Sequence, residues 1–132
     1  LHAKYDEYMD RGVNVAATKK FTNAPKFQAA LNVENVSRPA FGGLLRARVS
    51  VSHRTKVYPT TDLNEVIAQP GFSLLSAGLI WEKDKRLSFS LQGSNLTDKS
   101  YRTDGYNIPA LGILSGYYGA PRTVTVGGSY KF

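Results

Sequence analysis

The stretch Pro121-Arg122-Thr123-Val124-Thr125-Val126-Gly127-Gly128-Ser129-Tyr130-Lys131-Phe132 alternates with period two and divides its side chains between two incompatible surroundings. Val124, Val126, Gly128, Tyr130 and Phe132 share one face, and Thr123, Thr125, Gly127, Ser129 and Lys131 share the other, because successive side chains of a strand point to opposite sides. One face suits lipid and the other suits water. Such a strand can close a transmembrane β-barrel, with Val124, Val126, Tyr130 and Phe132 turned to the bilayer. It can equally complete a soluble antiparallel sheet whose apolar face is a core.

Five further stretches alternate in the same way, and helical periodicity is weak throughout. Residues 1–9 set Leu1, Ala3 and Tyr5 against His2, Lys4 and Asp6; residues 26–36 set Phe27, Ala29, Leu31 and Val33 against Gln28, Ala30, Asn32 and Glu34. Residues 43–54 are the clearest, with Leu45, Ala47, Val49 and Val51 opposite Arg46, Arg48, Ser50, Ser52 and Arg54. A slip of one residue there would turn three arginines into lipid, so the register is well specified. Residues 72–82 are two-sided, since Leu74 and Ile80 share a face with Ser76 and Gly78, whereas 86–95 alternate cleanly through Leu87, Phe89 and Leu91. The pattern predicts an all-β chain: an antiparallel up-and-down meander of about six strands.

Short polar turns at 37–40 and 83–85 alternate with long connections at 10–25, 55–71 and 96–121. In a meander this places the turns at one end and the loops at the other, as in an outer-membrane barrel with periplasmic turns and extracellular loops. Trp81, Tyr130 and Phe132 fall at the turn end, and Phe27 and Tyr5 nearer the loop end, where membrane interfaces favour amphipathic rings. No run of 18 apolar residues exists, which excludes a membrane-spanning helix. The absence of cysteine excludes disulfides and thiolate metal sites. Leu1 reads as the middle of a strand, so the chain is expected to be the tail of a longer one.

Three segments, in order, resemble the C-terminal barrel region of TonB-dependent outer-membrane receptors: Thr22-Asn23-Ala24-Pro25-Lys26-Phe27, Ser94-Asn95-Leu96-Thr97-Asp98-Lys99-Ser100-Tyr101, and Tyr117-Tyr118-Gly119-Ala120-Pro121-Arg122-Thr123. The resemblance covers essentially the whole of residues 1–132. It implies a large transmembrane barrel of about 22 strands around a plug, in the bacterial outer membrane. Such a receptor binds a scarce solute, such as an iron-siderophore complex, and imports it with energy transmitted by TonB. The implied partners are outer-membrane lipid, the plug, the remaining barrel strands and, through the plug, the TonB complex. The plug and the earlier strands are absent from this sequence, and the solute is not specified.

No catalytic constellation stands out, because His2 and His53 lie far apart and no nucleophile or metal-ligand spacing occurs. Neither an enzyme nor a cofactor is expected. Arg46, Arg48 and Arg54 share the inward face of one strand and could attract an anionic solute, grip an acidic plug surface, or simply line a wet lumen opposite Glu34. In the last loop Arg102, Tyr106, Tyr117 and Tyr118 can form an aromatic, hydrogen-bonding rim for a solute. Confinement of the arginines to one face argues against nucleic acid as a partner. The other functional class is a soluble small-molecule-binding β-barrel or sandwich. It makes the opposite prediction for Leu45, Val49, Leu79, Phe89, Leu91, Val124 and Val126, which would converge on a core instead of facing outward.

Overall fold

Alternating runs become strands because apolar residues at every second position cover one face of a pleated sheet while small polar residues take the other. The computed structural model describes residues 4–37, 42–83 and 86–132. Among them the strands are β1 (Met9–Asp10), β2 (Val13–Asn14), β3 (Gln28–Ser37), β4 (Leu44–Arg54), β5 (Phe72–Lys83), β6 (Leu87–Ser94), β7 (Arg102–Ile108), β8 (Ile113–Tyr118) and β9 (Thr123–Tyr130). Two single 3-10 turns, Ala16–Thr18 and Pro109–Leu111, are the helical segments of the described residues. The chain divides into two units.

The sheet unit takes Ala29–His53, Ser73–Lys99 and Ala120–Phe132. Its five antiparallel strands run in the order β3-β4-β5-β6-β9, leaving β3 and β9 as edges. The β5–β6 turn is closed by the Arg86 amide donating to the Lys83 carbonyl at 3.2 Å. β9 then pairs with β6 from Leu87↔Tyr130 to Ser94↔Thr123. This register aligns Leu79, Leu91 and Val126 in one row across three strands. The next row on that face sets Trp81 beside Phe89, their rings 6.0 Å apart and near-parallel at 22°. Gly43 is required against this cluster, since the Trp81 indole occupies the space a Cβ would fill. The opposite face carries Gly78, Gln92 and Thr125, then Ile80, Ser90 and Gly127.

Among the described residues the apolar rows of this unit are exposed. Leu31 is 64% exposed, Phe89 52%, Val124 61% and Val126 76%, and Val33, Val49, Val51, Leu79 and Leu91 are exposed as well. The convergence on a core that a soluble barrel requires does not occur.

The loop unit takes the described residues of Leu1–Gln28 together with Arg54–Phe72 and Ser100–Gly119. Val57, Ile67, Ala68 and Phe72 are buried in it, and an isolated bridge pairs Val57 with Gln69. β1 and β2 form a small hairpin through Arg11 and Gly12, both at positive φ (49° and 82°), as the tightest hairpin turns demand. β7 and β8 form a second hairpin with a register irregularity between Arg102 and Asp104.

Two expectations are corrected. The described part of the first predicted strand is not one: residues 4–8 are irregular and Met9 belongs to the two-residue β1, while 1–3 lie outside the described residues. Tyr5 stacks on Phe21 at 4.3 Å and meets Tyr8 edge-on at 5.3 Å, so local ring packing takes the side chain that a sheet face would have held. The loop at 96–121 contains β7 and β8, which alternation could not reveal because Gly105 and Gly116 sit opposite each other in the pair. The turn residues 38–40, 84 and 85 lie outside the described residues.

Candidate functional site

The polar face of the sheet unit forms an open concavity of about 520 Å³ lined by Asn32, Glu34, Arg46, Arg48, Gln92 and Thr125 among others. Strand alternation places these side chains there, as read from the parity of β4. Ser50 donates its hydroxyl to Asn32 Oδ1 at 2.6 Å, tying β4 to β3 on this face. Arg46 Nε lies 3.6 Å from Glu82 Oε2, a half-exposed pair whose contribution to stability is at most about 1 kcal/mol. Glu34 lines the same concavity, but the paired carboxylate is Glu82. Arg48 makes no ion pair among the described residues and lines the concavity together with Glu34.

Arg54 shares the parity of Arg46 and Arg48 but belongs to the loop unit. Its guanidinium lies 4.7 Å from the centre of the Phe72 ring and donates from Nη2 to the Arg102 carbonyl at 3.1 Å. Arg102 continues this bracing. Its Nη1 donates to the Ala68 carbonyl at 2.9 Å, its amide donates to Gln69 Oε1 at 2.6 Å, and its guanidinium covers the Tyr118 ring at 5.7 Å. Both arginines thus bind main chain around the small core.

The hairpin tyrosines divide by strand pairing. Asp104, Tyr106 and Ile108 share a face with Tyr117, Ser115 and Ile113, and the Tyr106 and Tyr117 rings are 6.1 Å apart. On the other face Gly105 lies against Pro59 and Asn107 donates to Asp62 Oδ2 at 2.7 Å, while Tyr118 stays 61% exposed. All three tyrosines are exposed, Tyr106 and Tyr117 together on one face of the hairpin and Tyr118 on the other. Gly119 is obligatory behind it, because the Tyr101 ring occupies the place of a Cβ, and Tyr101 itself stacks on Phe72 at 4.7 Å.

Charges on the 55–71 connection hold it together. Glu65 accepts from Lys56 Nζ at 2.5 Å and from the Tyr58 hydroxyl at 2.7 Å. The Lys56 bond, then the Tyr58 bond, hold the Glu65 carboxyl below its ordinary pKa, and Glu65 raises Lys56 in return. Asp62 is lowered by the Thr60 hydroxyl first and also by the Asn107 amide. Among the described residues no three His, Asp or Glu side chains converge as metal ligands would.

The motif residues prove to be joints. Asn95, 5% exposed and at φ 48°, donates from Nδ2 to the carbonyls of Lys99 (2.9 Å) and Ala120 (3.1 Å), while its Oδ1 accepts from the Lys99 amide. Asp98 accepts from the Arg122 amide at 3.1 Å and faces the Arg122 guanidinium at 3.8 Å. The two side chains thereby fasten the exit of β6 to the entry of β9. Asn23, at φ 52°, donates to Asp104 Oδ1 and through its amide to the Tyr58 carbonyl. Outside the motifs, His53 Nδ1 lies 2.9 Å from Ser73 Oγ on the apolar-face parity.

No protein-family model and no curated protein matches the chain. A solved structure does: the crystal structure of the ferric yersiniabactin uptake receptor FyuA from Yersinia pestis, with a TM-score of 0.74 and 25% sequence identity over 84% of this chain. The chain has the architecture of a TonB-dependent receptor barrel segment. It spans 17% of the FyuA chain. A segment cut from a large barrel presents two unpaired edges, one apolar face and one polar face; β3, β9, the exposed rows and the arginine concavity occupy those four roles. Sequence reading missed β7, β8 and the bracing role of Gln69. A polar residue between Ala68 and Pro70 was the available signal for the latter.

Proposed function

We propose that residues 1–132 are the C-terminal segment of an outer-membrane active transporter that binds a scarce solute outside the cell and imports it with TonB-transmitted energy. The observation that carries this reading is the two-faced sheet: long apolar rows stand uncovered while the arginines line the opposite, concave face. Lipid is the medium that makes the first face stable, and a wet, plug-filled lumen suits the second. In this reading Arg46 and Arg48 line the lumen and contact the plug or a passing anionic solute. Tyr106 and Tyr117 meet the solute on the outside. Arg54, Arg102 and Tyr118 hold the loop scaffold that presents them.

An iron-siderophore complex is the proposed cargo, by likeness to a ferric yersiniabactin receptor. The test uses the gene for the intact protein in an iron-starved bacterial host, with ferric yersiniabactin carrying radioactive iron as the first probe. The protein should fractionate with the outer membrane, and uptake should require both it and TonB. Recovery of the intact protein in the soluble fraction overturns the receptor reading. Correct fractionation without uptake removes this cargo and retains the barrel.

A further inference from the structure

We infer that the loop unit carries a binding cleft for a small polyanionic solute with a planar aromatic group, built from residues other than the arginine concavity and the hairpin tyrosines. The cleft is open to solvent and offers about 810 Å³, within the range of sites that hold small molecules. Among the described residues Lys4, Lys19, Lys20 and Lys26 line it together with Asp6, and the charge that attracts the solute is that of Lys4, Lys19 and Lys20. Ammonium groups on a free surface spread apart, whereas several on one concave wall raise the local potential and concentrate anions. Glu65 lies close enough to feel the charge of Lys20, which also sits 5.7 Å from the Tyr58 ring centre, so Lys20 is shared between the cleft and its rim.

The second feature is aromatic. Tyr5 and Phe21, both on the cleft wall, stack at 4.3 Å with 15° between their planes, and Phe21 remains 39% exposed. Lys19 adds a cation over the neighbouring Tyr8 ring at 5.8 Å. A bare inorganic anion uses only the lysines, and a neutral aromatic uses only the stack. A planar ring bearing carboxylate, sulfonate or phenolate groups uses both at once, extending the ring stack while its charges meet the ammonium groups.

The inference rests on the receptor reading, because the protein to be tested is the intact receptor. That protein, purified in a neutral detergent, is titrated with pyrene tetrasulfonate and followed by fluorescence anisotropy. Saturable binding is expected. The Lys19→Gln/Lys20→Gln double variant should weaken it roughly tenfold, and Phe21→Leu roughly threefold, with the β-sheet circular dichroism of each unchanged. Sodium phosphate should compete far less well than naphthalene disulfonate. Absence of saturable binding, or binding indifferent to both variants, overturns the cleft. Phosphate competing as well as the aromatic disulfonate overturns the aromatic half of the proposal. Repeating the titration in phosphatidylcholine vesicles with and without phosphatidylglycerol separates the two sources of anion: displacement of the dye by the anionic lipid assigns the cleft to headgroups and overturns the free-solute assignment. An outer-membrane protein that leaves the dye free counts against the cleft alone. A soluble protein that binds the dye counts against the receptor reading alone.

Discussion

The two units treat apolar surface in opposite ways. In the loop unit Val57, Ile67, Ala68 and Phe72 are buried, whereas the one buried residue of the sheet unit, among those described, is the polar Asn95. Yet the sheet unit holds the longer apolar rows. An exposed apolar face of that extent marks a surface made to be covered, and in the proposed receptor lipid supplies the burial that the loop unit obtains from its own side chains. One unit buries its apolar side chains within itself and the other displays them on an open face.

Substitutions in the intact protein test this contrast. The largest effect is expected for Phe72→Ala, which removes a ring 7% exposed, stacked on Tyr101 and covered by Arg54; the loss should be about 3–5 kcal/mol. Hydrogen exchange at the Val57–Gln69 bridge reads it, and unchanged protection there would mean that the loop unit has no core of its own. Next, Leu91→Arg in a vesicle-reconstituted barrel should cost about 2–4 kcal/mol in urea unfolding. Ser90→Arg, one residue away on the polar face, should stay within about 0.5 kcal/mol. Equal costs for the two would abolish the distinction between lipid and lumen faces.

Asn95→Ala should cost about 1–3 kcal/mol, since it strips partners from the Lys99 amide and from two carbonyls. The predicted signature is faster exchange where β6 leaves the sheet and β9 enters it, with the middle of the β6–β9 ladder unchanged. The smallest effect is the pH response of the 55–71 connection. Asp62 and Glu65 have folded-state pKa values lowered by their partners, so their stabilisation is complete above the ordinary carboxylate range and is lost as pH falls through the depressed values. Lys56 is raised, so its contribution is complete below its ordinary value and is lost as pH climbs through the elevated one. Carboxyl chemical shifts should report acid titration of Asp62 and Glu65 below the usual range; titration at ordinary values would sever these side chains from the scaffold.

Legibility from sequence followed the same division. The strands of the sheet unit could be read almost residue by residue, because a face that meets one medium along its length enforces strict alternation: Leu45 to Val51 against Arg46 to Arg54, and Leu87 to Leu91 against Ser88 to Gln92. The loop unit obscured its order. Gly105 opposite Gly116, and Pro109 with Gly112 at φ 65° at the hairpin tip, break the alternation that would have announced β7 and β8. The early alternation through Tyr5 pointed to a strand that ring stacking on Phe21 prevents. Shared parity likewise grouped Arg54 with Arg46 and Arg48, although its guanidinium is committed to Phe72 and the Arg102 carbonyl.

Period-two patterning was thus sufficient for the all-β class, the extent of the sheet strands and the assignment of apolar and polar faces, because those properties depend only on which side of a strand each residue occupies. Which arginines face a cavity and which brace a core, which tyrosines lie open, and where four lysines meet an aromatic pair depend on contacts between residues distant along the chain. Those became visible only when folding brought the 10–25, 55–71 and 96–121 connections into a unit with a core of its own.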